Sequence, residues 1–212
     1  MALFPDERTN EIVSYDYFDI AEGTGIETYY GMSISAQTAI AAHTAQSITW
    51  ILHGEAIESD GQSQYKEGTT VADAQAFDID LDLTEFNLPK DIKGNALVTI
   101  NGTMTAGDPA VNHSACFVFN LYKWDGASET LMGTGYSNPL GTVTNGTNTF
   151  YGATQVPITS KVHFKKGDVL RLNVLAYTRS SNAGQGGTVK LYINPTTAGE
   201  ELKVYIPYNL ER

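Results

Sequence analysis

This chain of 212 residues has little charge, few basic groups and almost no cysteine. Charged residues make up 17% of it, below the roughly 25% usual for soluble domains. The remaining surface is rich in Thr, Ser, Asn and Tyr, a composition that suits packing against other protein. Only 13 basic residues stand against 24 acidic ones, for a formal net charge of −11. Phosphate backbones are bound through clustered Lys and Arg. Beyond the pair Lys165-Lys166 no basic cluster exists, so no nucleic-acid partner is expected. Cys116 is the single cysteine, which excludes an internal disulfide and a thiolate metal cage. Its setting, Ala115-Cys-Phe-Val-Phe119, reads as a core strand, with the thiol as a small buried hydrophobe. No apolar run approaches the ~18 residues of a membrane helix. The opening Met1-Ala-Leu-Phe-Pro-Asp-Glu-Arg8 lacks the basic start and apolar run of a secretory signal. Synthesis in a cytoplasm, with no membrane partner, is the expectation.

What is present is alternation. In Lys161-Val-His-Phe-Lys-Lys-Gly-Asp-Val-Leu-Arg-Leu-Asn-Val-Leu-Ala-Tyr-Thr178 a strand ends, a charged Gly-Asp turn follows and a long strand begins. Leu170, Leu172, Val174 and Ala176 alternate with Arg171, Asn173 and Tyr177, and only Leu175 breaks the pattern. This period of two marks a half-buried strand. Phe77-Asp-Ile-Asp-Leu-Asp-Leu83 is the cleanest case, with Asp78, Asp80 and Asp82 outward. Ile48 to His53, Asn95 to Thr105, Glu129 to Gly135, Phe150 to Ile158 and Leu202 to Ile206 read likewise. Ala115 to Trp124, apolar on both faces, reads as a central strand covered on each side. Val189, Leu191 and Ile193 are expected to pair with the Leu170 strand. Residues 58–70 and 138–148 read as loops. Residues 36–46 are Ala-rich and read as an ordered connection or one or two helical turns. Residues 1–35, dense in aromatics and acids, read as an arm on a neighbouring subunit or as a first hairpin.

The pattern predicts an all-β fold, an antiparallel jelly-roll β-sandwich over residues 36–212 with an N-terminal arm or extra hairpin over residues 1–35. Few constellations suggest chemistry. Asp78-x-Asp-x-Asp82 invites calcium, but an EF-hand loop needs Gly and Glu where Leu83 and Pro89 stand. On a strand such carboxylates spread about 6–7 Å apart, so a solvated, edge-protecting face is the main reading and calcium the lesser one. His43, His53, His113 and His163 are scattered without zinc spacing. No Gly-x-Ser-x-Gly elbow exists. Carboxylate pairs for glycoside hydrolysis are a matter of spatial separation and stay open. Neither catalytic residues nor metal nor cofactor are expected, and the chain reads as a non-enzyme. Trp50 reads as core, whereas Trp124, beside the Asp125-Gly126 turn, reads as an exposed contact.

The order Ala96-Leu-Val-Thr-Ile-Asn-Gly-Thr103, Phe117-Val-Phe-Asn-Leu-Tyr-Lys-Trp-Asp-Gly126, Glu129-Thr-Leu-Met-Gly133 and Phe164-Lys-Lys-Gly-Asp-Val-Leu-Arg-Leu172 resembles jelly-roll virion structural proteins of tailed bacteriophages, especially head decoration (auxiliary capsid) and fibre-like proteins. The segment Asp19-Ile-Ala-Glu-Gly-Thr-Gly-Ile-Glu-Thr-Tyr-Tyr30 is similar to openings of phage structural proteins. The resemblance implies a homotrimer on the outer capsid surface of a virion, bound to the major capsid protein and stabilising the shell. Phe4, Tyr15, Tyr17, Phe18, Tyr29 and Tyr30 are the candidate capsid contacts, with core packing as their other reading. Leu175 and Tyr177 are candidates for a sister-subunit contact. The alternative is a carbohydrate- or receptor-binding jelly roll of a fibre or tail, with Trp124, Tyr136 and Tyr151 on the glycan.

Overall fold

The computed structural model describes residues 24–35, 48–57, 65–70, 74–108, 110–182 and 185–209. Among these the fold is all-β and contains no helix. Its strands are β1 (Thr24–Ser35), β2 (Ile48–His53), β3 (Tyr65–Thr70), β4 (Ala74–Asp82), β5 (Lys90–Ala106) and β6 (His113–Trp124), followed by β7 (Glu129–Tyr136), β8 (Leu140–Val143), β9 (Thr147–Phe164), β10 (Val169–Ser180), β11 (Gly187–Tyr192) and β12 (Lys203–Asn209). They form one mixed 12-stranded sheet in the order β3-β11-β5-β12-β1-β2-β4-β10-β6-β7, with β8 on β6 and β9 on β5. Every pairing is antiparallel except the short parallel contact of β2 with β4 at Ile51 and Asp82. That contact departs from the all-antiparallel expectation. β1 lies inside the sheet, between β12 and β2, so residues 24–35 belong to the same body as the rest.

The sheet folds over into two layers around a single core, and alternation explains why. In β10 the side chains of Leu170, Leu172, Val174 and Ala176 are fully buried, while Arg171, Asn173, Leu175 and Tyr177 face out half-buried. Phe77, Ile79 and Leu81 of β4 point the same way inward. Across the core, Phe117 of β6 meets Phe150 of β9 with ring centroids 5.5 Å apart. Each such fully buried apolar side chain contributes about 1.5–3 kcal/mol. β7 closes over β9 without pairing to it, because Gly133 and Gly135 present no side chain there. A Cβ on Gly135 would stand 2.6 Å from the Gln155 carbonyl oxygen, and one on Gly133 would fall on that of Pro157.

The turn between β9 and β10 is held by Asp168. The Lys165 amide donates to its Oδ2 at 2.6 Å and Lys123 Nζ lies 2.8 Å from the same atom. Gly167 supplies the positive φ of 92° that the turn requires. Burial pushes the Asp168 pKa up, but the hydrogen bonds from Lys123 and Lys165 outweigh it and hold the group below its ordinary 3.8.

Several expectations are corrected. β11 pairs with β3 and β5 rather than with β10, and Val189 and Leu191 are fully buried there. The loop expected over 58–70 contains β3, and the one over 138–148 contains β8 and the start of β9. Cys116 faces outward and is half-buried, because the inward positions of β6 are the odd ones. Its outward neighbours Val118, Asn120 and Tyr122 are half-buried too, so β6 is central in the layer but not covered on both faces.

Replacing Gly133 or Gly135 by Ala is expected to cost about 1–3 kcal/mol through the clash with β9, read as a lower denaturation midpoint. Asp168 contributes stability that is fully present above pH 3.8 and lost as pH falls through its lowered pKa. Acid titration of Asp168→Asn is therefore expected to show a shallower loss of stability below pH 3.8 than the wild-type chain.

Candidate functional site

The outer face of the β4-β10-β6-β7 layer carries an ordered row of polar side chains. The registers place Asn173 beside Asp80 and Asn120, and Asn120 beside Thr134. The Thr134 hydroxyl donates to Asn120 Oδ1 at 2.8 Å, and Asn120 Nδ2 donates to Asn173 Oδ1 at 3.1 Å. Asn173 Nδ2 donates in turn to Asp80 Oδ1 at 2.9 Å and Asp78 Oδ1 at 2.6 Å. The direction is dictated from the acidic end. An ionised carboxylate only accepts, so Asn173 must turn its amide nitrogen to the aspartates and its oxygen to Asn120, and the orientation propagates to Thr134.

Arg171 lies one outward position along β10. It forks onto Asp82, with Nε to Oδ1 at 2.6 Å and Nη2 to Oδ2 at 2.8 Å, and its Nη1 reaches Glu129. Its Cζ stands 5.5 Å from the Trp124 ring centroid, within cation–π range. The hydrogen bonds to Asp82 outweigh partial burial and raise the guanidinium pKa above its ordinary value, so it remains charged. Asp78, Asp80, Asp82 and Glu129 around this cation leave this end of the face acidic. Around the polar row lie Leu131, 53% exposed, and Tyr136, 73% exposed, with half-buried Val118, Tyr122, Leu175 and Tyr177.

The predicted residues are distributed as follows. Leu175 and Tyr177 lie on this face, opposite Val118 and Cys116. Trp124 and Tyr136 share it too, but Tyr136 pairs with Val118, so along β6 the two are about 20 Å apart at ~3.3 Å per residue. Tyr151, 68% exposed, belongs to β9 in the other layer, opposite Asn101. The three glycan candidates are therefore not brought together. Tyr29 is 7% exposed and part of the core. Its hydroxyl lies 2.9 Å from that of Tyr208 and also bonds Glu27. Burial, with Tyr208 and Glu27 adding, pushes its pKa far above the ordinary value. Tyr30 is half-buried, with Lys203 Nζ 5.6 Å from its ring centroid. Phe4, Tyr15, Tyr17 and Phe18 lie outside the described residues. Among the described residues no three His, Cys, Asp or Glu side chains converge as metal ligands.

A second cluster was not legible in the sequence. Asp91 is wholly buried, accepts a hydrogen bond from His163 Nδ1 at 2.8 Å and forms an ion pair with Lys161. Its partners lie some 70 residues away in sequence, on β9, and only the β5–β9 register joins them. A carboxylate that holds Nδ1 fixes the imidazole ring with Nε2 turned away from it, an arrangement suited to proton transfer.

No family model matches the chain, and no curated protein matches it in sequence. Among solved structures it is similar to an α-amino acid ester hydrolase, at 12% identity and TM-score 0.52, over 86% of this chain and 36% of that one. A CocE/NonD family hydrolase from Staphylococcus aureus matches at 13% identity and TM-score 0.49, over 85% of this chain and 36% of that one. The chain thus spans little more than a third of the hydrolases it matches. The structure of infectious bursal disease virus, Gx strain, matches at 10% identity and TM-score 0.26, over 88% of this chain and 58% of that one, a likeness too loose to carry an argument. The expectation of a non-enzyme is overturned by the first of these, since its fold over most of the chain recurs within a hydrolase. At 12% identity what the two share is the fold.

Replacing Arg171 by Met removes the cation that Asp82 and Glu129 share. It is expected to cost about 1–2 kcal/mol, discounted for the partial exposure of the carboxylates, read by chemical denaturation. Removing both Lys161 and His163 (Lys161→Met with His163→Phe) strips these two partners from a buried carboxylate. A larger loss of about 3 kcal/mol is expected by the same measurement.

Proposed function

We propose that this chain is a structural jelly-roll protein of a virion, a trimeric decoration protein bound to the major capsid protein on the outside of the head. The observation that carries the reading is the outer face of the β4-β10-β6-β7 layer. Leu131 and Tyr136 are exposed there at the end of a polar row whose donors are already engaged by its own acceptors. Covering such a row costs little desolvation, because its hydrogen bonds survive. A glycan would need those donors free, which favours protein over sugar as the occupant.

In a threefold assembly each interface is heterologous, so this acidic face meets a different patch of its neighbour rather than itself. Leu175 and Tyr177 belong to that sister contact, with Leu131 and Tyr136 as its apolar anchors. The aromatic residues Phe4, Tyr15, Tyr17 and Phe18, with Tyr30, supply the grip on the capsid. The low charge content and net charge of −11 fit a surface that binds protein and avoids the packaged genome.

A second reading rests on the ester hydrolase likeness: a β-sandwich module of a hydrolytic protein. Its chemistry on this chain would fall to the Asp91–His163 pair, with His163 as the proton-transfer group.

The test is particle binding together with solution mass. Leu131→Asp with Tyr136→Asp is expected to convert a trimer to monomers by light scattering. Deletion of residues 1–23 is expected to leave the trimer intact while abolishing co-sedimentation with virus particles. A chain that is monomeric from the start sinks the trimer, and a truncated chain that still decorates particles sinks the capsid contact. Turnover of an α-amino acid ester by the purified chain, lost in His163→Ala, would move the assignment to the second reading.

A further inference from the structure

The strongest feature outside these surfaces is the outer face of the opposite layer, where β9, β5, β11 and β3 run side by side. Their registers set outward residues in straight rows. Tyr151 of β9 stands opposite Asn101 of β5, and Leu191 opposite Gly102 brings Tyr192 of β11 alongside Asn101. Tyr192 pairs in turn with Tyr65 of β3. Parity puts these side chains on one outer face, since their chain neighbours Phe150, Gly102 and Leu191 are buried. One row along lie Thr149, Thr103, Lys190 and Glu67, and the next holds Thr147, Thr105, Thr188 and Thr69.

The tyrosine rings form platforms at the two ends of the first row. Tyr151 is 68% exposed and Tyr65 42%. The Tyr151 hydroxyl lies 3.7 Å from where a Cβ on Gly199 would stand. Gly199 belongs to the β11–β12 connection, on the far edge of β5 from β9, so the ring leans across β5 and keeps a face in solvent. The same connection walls the row, because Asn101 Nδ2 donates to the Glu201 carbonyl oxygen at 3.0 Å. At the other end Tyr65 and Tyr192 meet edge to face with centroids 6.5 Å apart, and Lys190 Nζ sits 3.8 Å from the Tyr65 centroid. A strand spacing of ~4.8 Å puts Tyr151 about 10 Å from Tyr192 and about 14 Å from Tyr65 along the row.

The chemistry of these rows selects the occupant. Charge on them is compensated, with Lys190 paired to Glu67 at 3.3 Å, which leaves no free cation for a phosphate backbone. Of the exposed large apolar residues only Tyr65 and Tyr151 fall here, and no aliphatic one does, whereas a protein contact needs an apolar core. The hydroxyls stay useful to a ligand. Thr69 and Thr188 share one hydrogen bond at 2.6 Å, as do Thr105 and Thr147 at 2.8 Å, and each such pair spends one O–H and keeps the other. Neutral donors and acceptors beside solvent-facing rings match a sugar, which offers hydroxyls at its edge and an apolar C–H face. We infer that this face binds a neutral oligosaccharide. Its C–H faces stack on Tyr151 and on the Tyr65–Tyr192 pair, and its hydroxyls bond to Asn101, Thr103 and Thr149. Tyr151 thereby keeps the glycan role expected from the sequence, with companions from β11 and β3 in place of Trp124 and Tyr136. The inference does not rest on the proposed assembly, whose sister contact lies on the other layer.

The experiment applies the full chain to a printed array of neutral and acidic glycans, then titrates the strongest neutral hit as a soluble oligosaccharide by calorimetry. Amide resonances of Asn101, Thr103 and Tyr151 are expected to shift saturably with that probe. Tyr151→Ala, an exposed substitution that leaves the core untouched, is expected to weaken binding about tenfold. Tyr151→Phe keeps the ring and is expected to leave the affinity nearly unchanged. Tyr65→Ala is expected to weaken it several-fold, with folding of each variant checked by circular dichroism. Tyr136→Ala, on the other layer, is expected to bind as the wild-type chain does. A flat array, binding confined to acidic glycans, or an unchanged affinity in Tyr151→Ala overturns the inference. So does a loss in Tyr136→Ala as large as that in Tyr151→Ala.

Discussion

The two-residue period of β10 is the constraint from which most of this molecule follows. A strand with neighbours on both edges has no freedom in where its side chains go, so each residue is committed to the core or to the outer face by its parity alone. Leu170, Leu172, Val174 and Ala176 are fully buried on one side. Arg171 and Asn173 are thereby forced onto the other, opposite Asp82 and Asp80 of β4. The same commitment in β6 places Asn120 outward next to Asn173. A slip of one residue would bury a guanidinium and expose the leucines, which no compensating contact offsets. The core pattern therefore also fixes the polar face.

That face combines two properties that usually exclude one another. Its polar groups are satisfied among themselves, with the donor direction set by the aspartates and carried across three strands to Thr134. Its apolar groups, Leu131 and Tyr136, are left in solvent. An internally satisfied polar network flanked by exposed apolar anchors is inexpensive to cover and gains apolar area when covered. The acidic balance then restricts what can cover it to surfaces that supply cations or neutral donors. The hydrolase likeness adds that an all-β fold of this size also exists as a portion of a larger protein, so the fold itself is indifferent to which of these contexts uses it.

Much of the strand content was legible because alternation is local. β4 and β10, and the charged turn held by Asp168, stand in the sequence nearly as they stand in the structure. β3 and β8 were not legible, since Tyr65-Lys-Glu-Gly-Thr-Thr70 and Leu140-Gly-Thr-Val143 are polar or glycine-rich and become strands through their partners β11 and β6. The pairing of β11 was misjudged for a related reason. A short connection after β10 suggests a hairpin, yet the apolar face of Val189 and Leu191 is buried by crossing to β5. For Tyr29 the sequence left surface contact and core packing both open, because an aromatic beside acids has no local signature of burial, and Tyr208, which faces it, lies 179 residues away.

By itself the sequence determined the all-β class, the acidic and sparsely charged surface, and which residues of each long strand turn inward, because all three depend on composition or on a period of two. The tertiary structure decided which outward residues meet. Asn120 with Asn173, Asp91 with His163, and Arg179 with Ser114 are brought together by strand register. Register is set by the packing of a whole layer against the core, and no stretch of sequence contains it.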